Sequence, residues 1–407
     1  MFGLIACIGW CAAFVAVSAK EPESPSFELR GRVDADFLAT AQSSANEATF
    51  GDLGDAVGLR RAWVGAEGRV AFGRYMSVID LADGNVVLRD VFVGLGDFQT
   101  GGEIRVGHYL EPFSFEINTP SFTLPFMECS VASILAPARN WGLSLFRTEP
   151  CNSTTFALGV YQAGSDVNDF ETGPGSTFGL TGRMTAAPIN EGNGENLLHL
   201  GIALSARFPE RGIIIVNQQP QTPLIGFGDV AASPFVPQLQ IPASFQQLTN
   251  LQLAAARGPV WFQTEWYGSW IDQLGGAPVF FHGVHVDGGW FITGEHRPYQ
   301  ETNGVFGPVR VNRPLFRGPA NCERECGWGA WELTARFAYL DVQDADTPLG
   351  PGGQFVGIRL PEFTFGANWY LTDNVRLMAN YSLAIPEEPN TGSSVAHLFA
   401  MRLGVFW

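Results

Sequence analysis

The sequence predicts an all-β fold, an antiparallel transmembrane β-barrel of about sixteen strands. Three observations carry that expectation. Segment after segment alternates apolar and polar residues with a period of two, the spacing of a β-strand. The segments run about ten residues, the length that crosses a bilayer at a tilt. The chain also opens on an apolar run with the form of an export signal. Composition agrees. The 407 residues include 48 glycines and 26 prolines and are 46% hydrophobic and only 16% charged, which excludes a disordered chain. The net charge of -16 and the absence of a basic tract exclude a nucleic-acid partner.

From the N-terminus, residues 1–19 read as a signal peptide, with "LIACIGWCAAFVAVSA" ending in the small residues Val17-Ser18-Ala19. Residues 20–26 read as a linker and 27–407 as the barrel. The first strand, "FELRGRVDADF", puts Glu28, Arg30, Arg32, Asp34 and Asp36 on one face. Further strands are expected at 59–71, 75–82, 87–96, 103–110, 138–147, 154–163, 176–187, 197–207, 246–257 and 260–271. The remainder fall at 284–296, 328–341, 359–371, 375–384 and 397–407. In the last, "HLFAMRLGVFW", Phe399, Met401, Leu403, Val405 and Trp407 share an apolar face, while Arg402 and Gly404 mark the other.

A soluble β-sandwich alternates in the same way, with its apolar face toward a dry core. The barrel is favoured by strand length, by Trp and Tyr at strand ends (Tyr339, Trp369, Tyr370, Tyr381, Trp407), and by short turns alternating with long loops. An open edge would leave unpaired backbone groups in hydrocarbon, so the final strand must pair with the first. Trp407 then anchors the seam at the interface.

The blocks "GLRRAWVGAEG", "VVLRDVFVGLG", "IRVGHYLEPFSFE", "FMECSVA", "ENLLHLGIALSAR", "GGWFITGEHRPY", "GAWELTARFAYLDV" and "FGANWYLTDNVRLMANYSLA" follow one another in order. By them the chain resembles the phosphate-selective porin O/P family of Gram-negative outer membranes. The resemblance implies a usually trimeric, lipid-embedded channel that passes small, anionic solutes through a constriction narrowed by an inward-folded loop. Residues 111–137 match that loop by position, and 27 residues without strand pattern suit a functional segment. An extracellular loop packing on itself or on a trimer neighbour is the alternative. The terminal Phe406-Trp407 resembles the signal read by the outer-membrane assembly machinery.

Candidate constriction residues follow. Arg61 shares the polar face of its strand with Trp63, Glu67 and Arg69, and an arginine on the lipid face would cost roughly 2–4 kcal/mol. Arg60 has the opposite parity, so both point inward only with a bulge or near the loop edge. The pair matches the family's constriction arginines, and Asp90 matches a family acidic position. Arg32 and Arg105 are inward by parity, and Glu111 and Glu116 are acids of the loop itself. With Arg207, Arg336, Arg376 and Arg402 these arginines suggest a track for oxyanions. Inward acids such as Asp34, Glu265 and Glu332 oppose it, so a polar pore is better supported than an anion-selective one.

The chain departs from the family in one respect: Lys20 is its only lysine, and Phe122 stands where a loop lysine is expected. Phosphate preference is therefore not implied by the residues.

Cys322 and Cys326 are a possible disulfide in a long periplasmic connection. No metal or cofactor is expected, and His282 and His285 read as loop and interface residues. Ser269 lacks the second glycine of a nucleophile elbow, and inward His199 has no serine partner, so an enzyme is not expected. A passive channel leads, with a structural or adhesive barrel protein as the alternative.

Overall fold

A computed structural model describes residues 25–70, 72–82, 84, 86–97, 102–149, 153–163, 177–216, 235–236, 238–316, 325–347 and 357–407. The expected signal peptide and residues 20–24 of the linker lie outside them. Sixteen antiparallel strands form the wall. In chain order they are β1 Glu28–Gln42, β2 Ala56–Val70, β3 Gly73–Asp80, β4 Val87–Asp97, β5 Gly102–Leu110, β6 Arg139–Glu149, β7 Thr154–Ala163 and β8 Thr177–Glu191. Then come β9 Asn196–Pro209, β10 Leu239–Arg257, β11 Val260–Gln273, β12 Val279–Phe291, β13 Ala330–Asp341, β14 Arg359–Thr372, β15 Val375–Ala384 and β16 Ala396–Phe406. The sheet closes because β16 pairs with β15 on one side and β1 on the other.

The alternation has the polarity of a membrane barrel. Leu200, Ile202 and Leu204 of β9 stand 48%, 45% and 50% exposed on the outside, whereas Ser205 and Arg207 are buried within. An outer face of this kind suits lipid rather than water. Tight turns such as Gly258-Pro259 and Asp373-Asn374 mark the periplasmic end, where the connection 292–329 is the exception. Beyond the bilayer the polarity reverses. In the first turns of β10, Leu239, Ile241 and Ala243 are buried, while Gln240, Pro242 and Ser244 face solvent. That inversion is why this strand begins earlier than its alternation suggests.

Of the register shifts in the described wall, two bulges place charged residues side by side. Asp34 pairs with Arg61 but Ala35 with Leu59, so Arg60 is extra in β2. Ser77 pairs with Val91 but Ile79 with Leu88, so Arg89 and Asp90 together face Val78. Each bulge brings two adjacent charged residues to the same side of the sheet, which strict alternation forbids.

The segment 111–138 turns into the barrel. It carries a short helix, Phe115–Asn118, and a 3-10 turn, Val131–Leu135, both buried. Phe113, Ile117, Val131 and Leu135 pack with wall residues Tyr267, Phe281 and Leu340. At Gly283 a Cβ would stand 2.9 Å from the Ala132 Cβ, so the loop lies directly on β12 there. A second element enters from the periplasmic end. In the connection 292–329 a small hairpin, Tyr299–Gln300 with Val305–Phe306, rises inside, and its Phe306 packs edge-on against Phe115 at 5.2 Å. Its inward course is a feature that the alternation pattern did not reveal.

Candidate constriction and lumen cavity

An extended loop inside a barrel must still satisfy its peptide groups. Here the wall and the connection 292–329 do so, carbonyl by carbonyl. Arg32 donates to the Ser121 hydroxyl at 2.6 Å and reaches its carbonyl at 3.5 Å. Arg297 donates to the Thr123 carbonyl, Arg376 to Leu124 at 2.8 Å and Asn368 to Pro125 at 2.8 Å. Arg402 donates to the Met127 carbonyl at 2.5 Å and Arg336 to Glu128 at 3.1 Å. Guanidinium suits the task because it is a rigid fork with five donors and stays charged.

Carboxylates hold the two ends of the loop. Glu111 accepts from both terminal nitrogens of Arg207, at 3.0 and 2.7 Å, from Thr181 at 2.6 Å and from Asn140 at 2.7 Å. Glu116 accepts from the Ser130 amide at 3.0 Å and pairs with Arg336. Glu265 of the wall accepts from the amides of Phe115 and Glu116, at 2.9 and 2.6 Å, at the helix start. That is where orphan N–H groups favour an anion.

Glu128, a residue of the loop, meets the wall at the first bulge. Arg60 approaches it through two nitrogens, both at 3.1 Å, Arg61 at 3.2 Å and Arg402 at 2.7 Å. Burial pushes its carboxyl up, but these three guanidiniums outweigh burial and bring it down to about 2. Asp34 receives Arg32 at 2.6 Å and Arg61 at 3.1 Å, completing the network.

The sequence candidates therefore separate into two groups. Arg32, Arg60 and Arg61 are inside the barrel yet only 3%, 1% and 2% exposed, engaged beneath the loop. Glu111 and Glu116 are fully buried. Of the expected arginine track, Arg32, Arg336, Arg376 and Arg402 donate to loop carbonyls, and the two loop acids accept from buried donors. Their parity was legible, but their partners lie far off in sequence. Asp90 and Arg105 differ, because both line a cavity of about 190 Å³ left between the loop and the strands β3 to β8.

That cavity is bordered by Arg74, Arg105, Arg147 and Arg183, with Asp90 as its one lining carboxylate. Asp90 is paired with Arg139 at 2.7 Å. Arg105 lies over Phe146 at 4.2 Å and Phe92 at 4.4 Å and bonds Glu103 at 2.8 Å. Arg183 gives its donors to Gln252, at 2.9 and 3.2 Å, and to the hairpin carbonyls of Asn303 and Gly304, at 2.7 and 2.8 Å. Among the described residues it has no carboxylate within ion-pair distance. Arg183 and Glu128 were missed as site residues, although Thr181, Arg183 and Thr185 alternate inward as plainly as any predicted set.

Other expectations are placed as follows. His285 is not a loop residue: it lies on β12, fully buried, with Asp287 at 3.1 Å and Glu116 at 3.7 Å. These three are close enough to hold a metal ion, but the Arg336 guanidinium already pairs with both carboxylates. His199 bonds Tyr299 at 2.8 Å and Gln252 at 3.4 Å, two further wall-and-hairpin contacts. Cys326 is exposed, and Cys322 lies outside the described residues, as does Cys151. Phe122, at the position of the missing lysine, stacks on Phe406 at 4.6 Å.

Comparison with known proteins gives consistent results. The family model described as phosphate-selective porin O and P matches residues 27–403. The chain is 26% identical over 370 residues to an uncharacterized protein of Caulobacter vibrioides, covering 88% of this chain and 68% of that one. It is 24% identical over 409 residues to Porin O of Pseudomonas aeruginosa, covering 93% and 87%. Among solved structures it is similar in fold to an anion-selective porin from Comamonas acidovorans, with a TM-score of 0.56, 12% identity and coverage of 94% and 100%. OmpT, an outer membrane protein of Vibrio cholerae, is similar at a TM-score of 0.56 and 12% identity, with coverage of 96% and 100%.

Proposed function

The chain belongs to the phosphate-selective porin O and P family and forms an outer-membrane channel, and we propose that this channel passes small anions in preference to cations. The observation that carries the proposal is the cavity lining, in which four arginines outnumber one carboxylate. Asp90 pairs with Arg139, Glu103 is shared by Arg74 and Arg105, Glu149 pairs with Arg147, and Arg183 has no carboxylate within ion-pair distance among the described residues. In a narrow space walled by protein such charges act more strongly than in bulk water. Arg105 and Asp90 are then the filter residues nearest the solute, while Arg60, Arg61 and Arg32 act through the loop they hold. Phosphate preference gains no support from a chain whose one lysine is Lys20.

We also propose a homotrimer embedded in outer-membrane lipid, with Phe406-Trp407 presented to the assembly machinery; cross-linking of purified, unheated protein tests the trimer. The channel reading is tested in planar bilayers by reversal potential across a potassium chloride gradient. The expected sign is that of chloride permeation. A cation-selective sign would overturn the anion preference, and zero conductance from folded protein would favour a structural barrel.

A further inference from the structure

Resting on the anion preference above, we propose that the cavity beside the inward loop is a subsite for organic monoanions with a compact apolar body, of which an aromatic carboxylate is the simplest. Three features of its wall lead there.

First, the cavity combines charge with apolar surface. Met76, Phe92, Tyr109 and Phe146 line the same space as Arg105 and Arg183. Phe92, Tyr109 and Tyr161 form a continuous buried cluster with Met76 and Phe146 packed against it, so this surface is fixed rather than incidental. Second, the cations are held as charges rather than as a cradle of donors. Arg105 is laid over Phe92 and Phe146 and tied to Glu103. Arg183 has each of its three nitrogens bonded to a neutral oxygen, so its charge attracts an anion while its N–H groups are already engaged. Third, the space of about 190 Å³ has room for several waters. A chloride there would keep its water and touch little of the wall.

Inorganic phosphate must exchange a strong hydration shell for protein donors. This wall offers it charge, but the donors of Arg183 are engaged, Glu103 and Glu149 already pair with Arg74, Arg105 and Arg147, and the apolar surface is one it cannot use. A carboxylate on a ring meets both properties: the charge lies in the arginine field and the ring buries against Met76, Phe92 and Phe146.

The experiment uses the full-length channel in planar bilayers. The potassium chloride gradient is measured first, and then sodium benzoate, acetate or phosphate is added at equal ionic strength while chloride current is recorded. Benzoate should interrupt or replace chloride current at roughly tenfold lower concentration than acetate, a discrimination of the size that a few buried methylenes supply. The benzoate-to-acetate ratio should collapse toward one in Phe146→Ser and, independently, in Met76→Gln. Benzoate no stronger than acetate, or phosphate strongest of the three, overturns the subsite while leaving an anion-selective channel. An unchanged ratio in both variants also overturns it. A cation-selective potential in the first measurement overturns instead the reading on which the subsite rests.

Discussion

Arg60 shows how a single extra residue decides the chemistry of this lumen. Strict alternation would send it to the lipid face, but the bulge opposite Asp34 and Ala35 turns it inward beside Arg61. Both then converge on Glu128, a residue 68 and 67 positions away that sequence reading did not single out. The adjacent arginines were legible as a pair needing a bulge; their shared carboxylate was not, because loop placement leaves no periodic trace. Replacing both by alanine removes two positive charges while Asp34 and Glu128 remain. At low salt the reversal potential should move toward cations, since about 1.4 kcal/mol in an ion's barrier is tenfold in rate. The shift should fade at 1 M salt, where the Debye length is about 3 Å. An unchanged potential would restrict the pair to holding the loop. Glu128 should also keep its charge as the medium is acidified. Its carboxyl is depressed from 4.5 to about 2, so the stability it contributes is complete above 4.5 and is lost as pH falls toward 2. Selectivity measured from pH 7 to pH 5 should therefore show no step attributable to this residue.

At the scale of elements, the wall was readable and its contents only partly so. Each strand lies between lipid and a polar interior, and that environment writes a period of two into the sequence, as at β7 and β15, whose limits match the expected ones. Above the bilayer the rule inverts, so β10 starts at Leu239 rather than near 246, and β12 starts at Val279 rather than near 284. The inward loop was placed by its length and family position. Its attachment was not foreseeable, because five separate wall side chains and Arg297 of the connection 292–329 supply the donors for residues 121–128. A direct test is Arg376→Leu. It removes the 2.8 Å bond to the Leu124 carbonyl and leaves that buried acceptor without its partner, a loss of about 1–3 kcal/mol. The barrel itself loses no ladder hydrogen bond, so heat-modifiable folding should persist. Open-channel current noise and mean conductance should both rise. Wild-type noise in a folded Arg376→Leu channel would show that the remaining clamps suffice.

For the molecule as a whole, closure rests on the meeting of its first and last strands. Trp407 exchanges both backbone hydrogen bonds with Gly31 at 3.0 Å. Its indole lies over that glycine: a Cβ on Gly31 would stand 2.0 Å from the Trp407 ring. On the inner side the neighbouring Phe406 packs against Phe122, so the same two terminal residues close the wall and touch the constriction loop. The terminal aromatic covers the seam, and the assembly role proposed for it can be tested separately. Trp407→Ala removes both and should lower the amount of inserted, heat-modifiable barrel several-fold. Gly31→Val keeps the terminal aromatic but forces the indole aside, so it should lower the unfolding temperature of the inserted barrel without reducing its amount. Deleting Phe406 and Trp407 together should do what Trp407→Ala does and in addition loosen the loop, raising conductance noise in any barrel that inserts. Normal insertion of Trp407→Ala would remove the assembly role, and an unfolding temperature unchanged in Gly31→Val would remove the seam role. The two results are read from different measurements, amount and stability, because the proposed recognition would act before closure and packing acts after it.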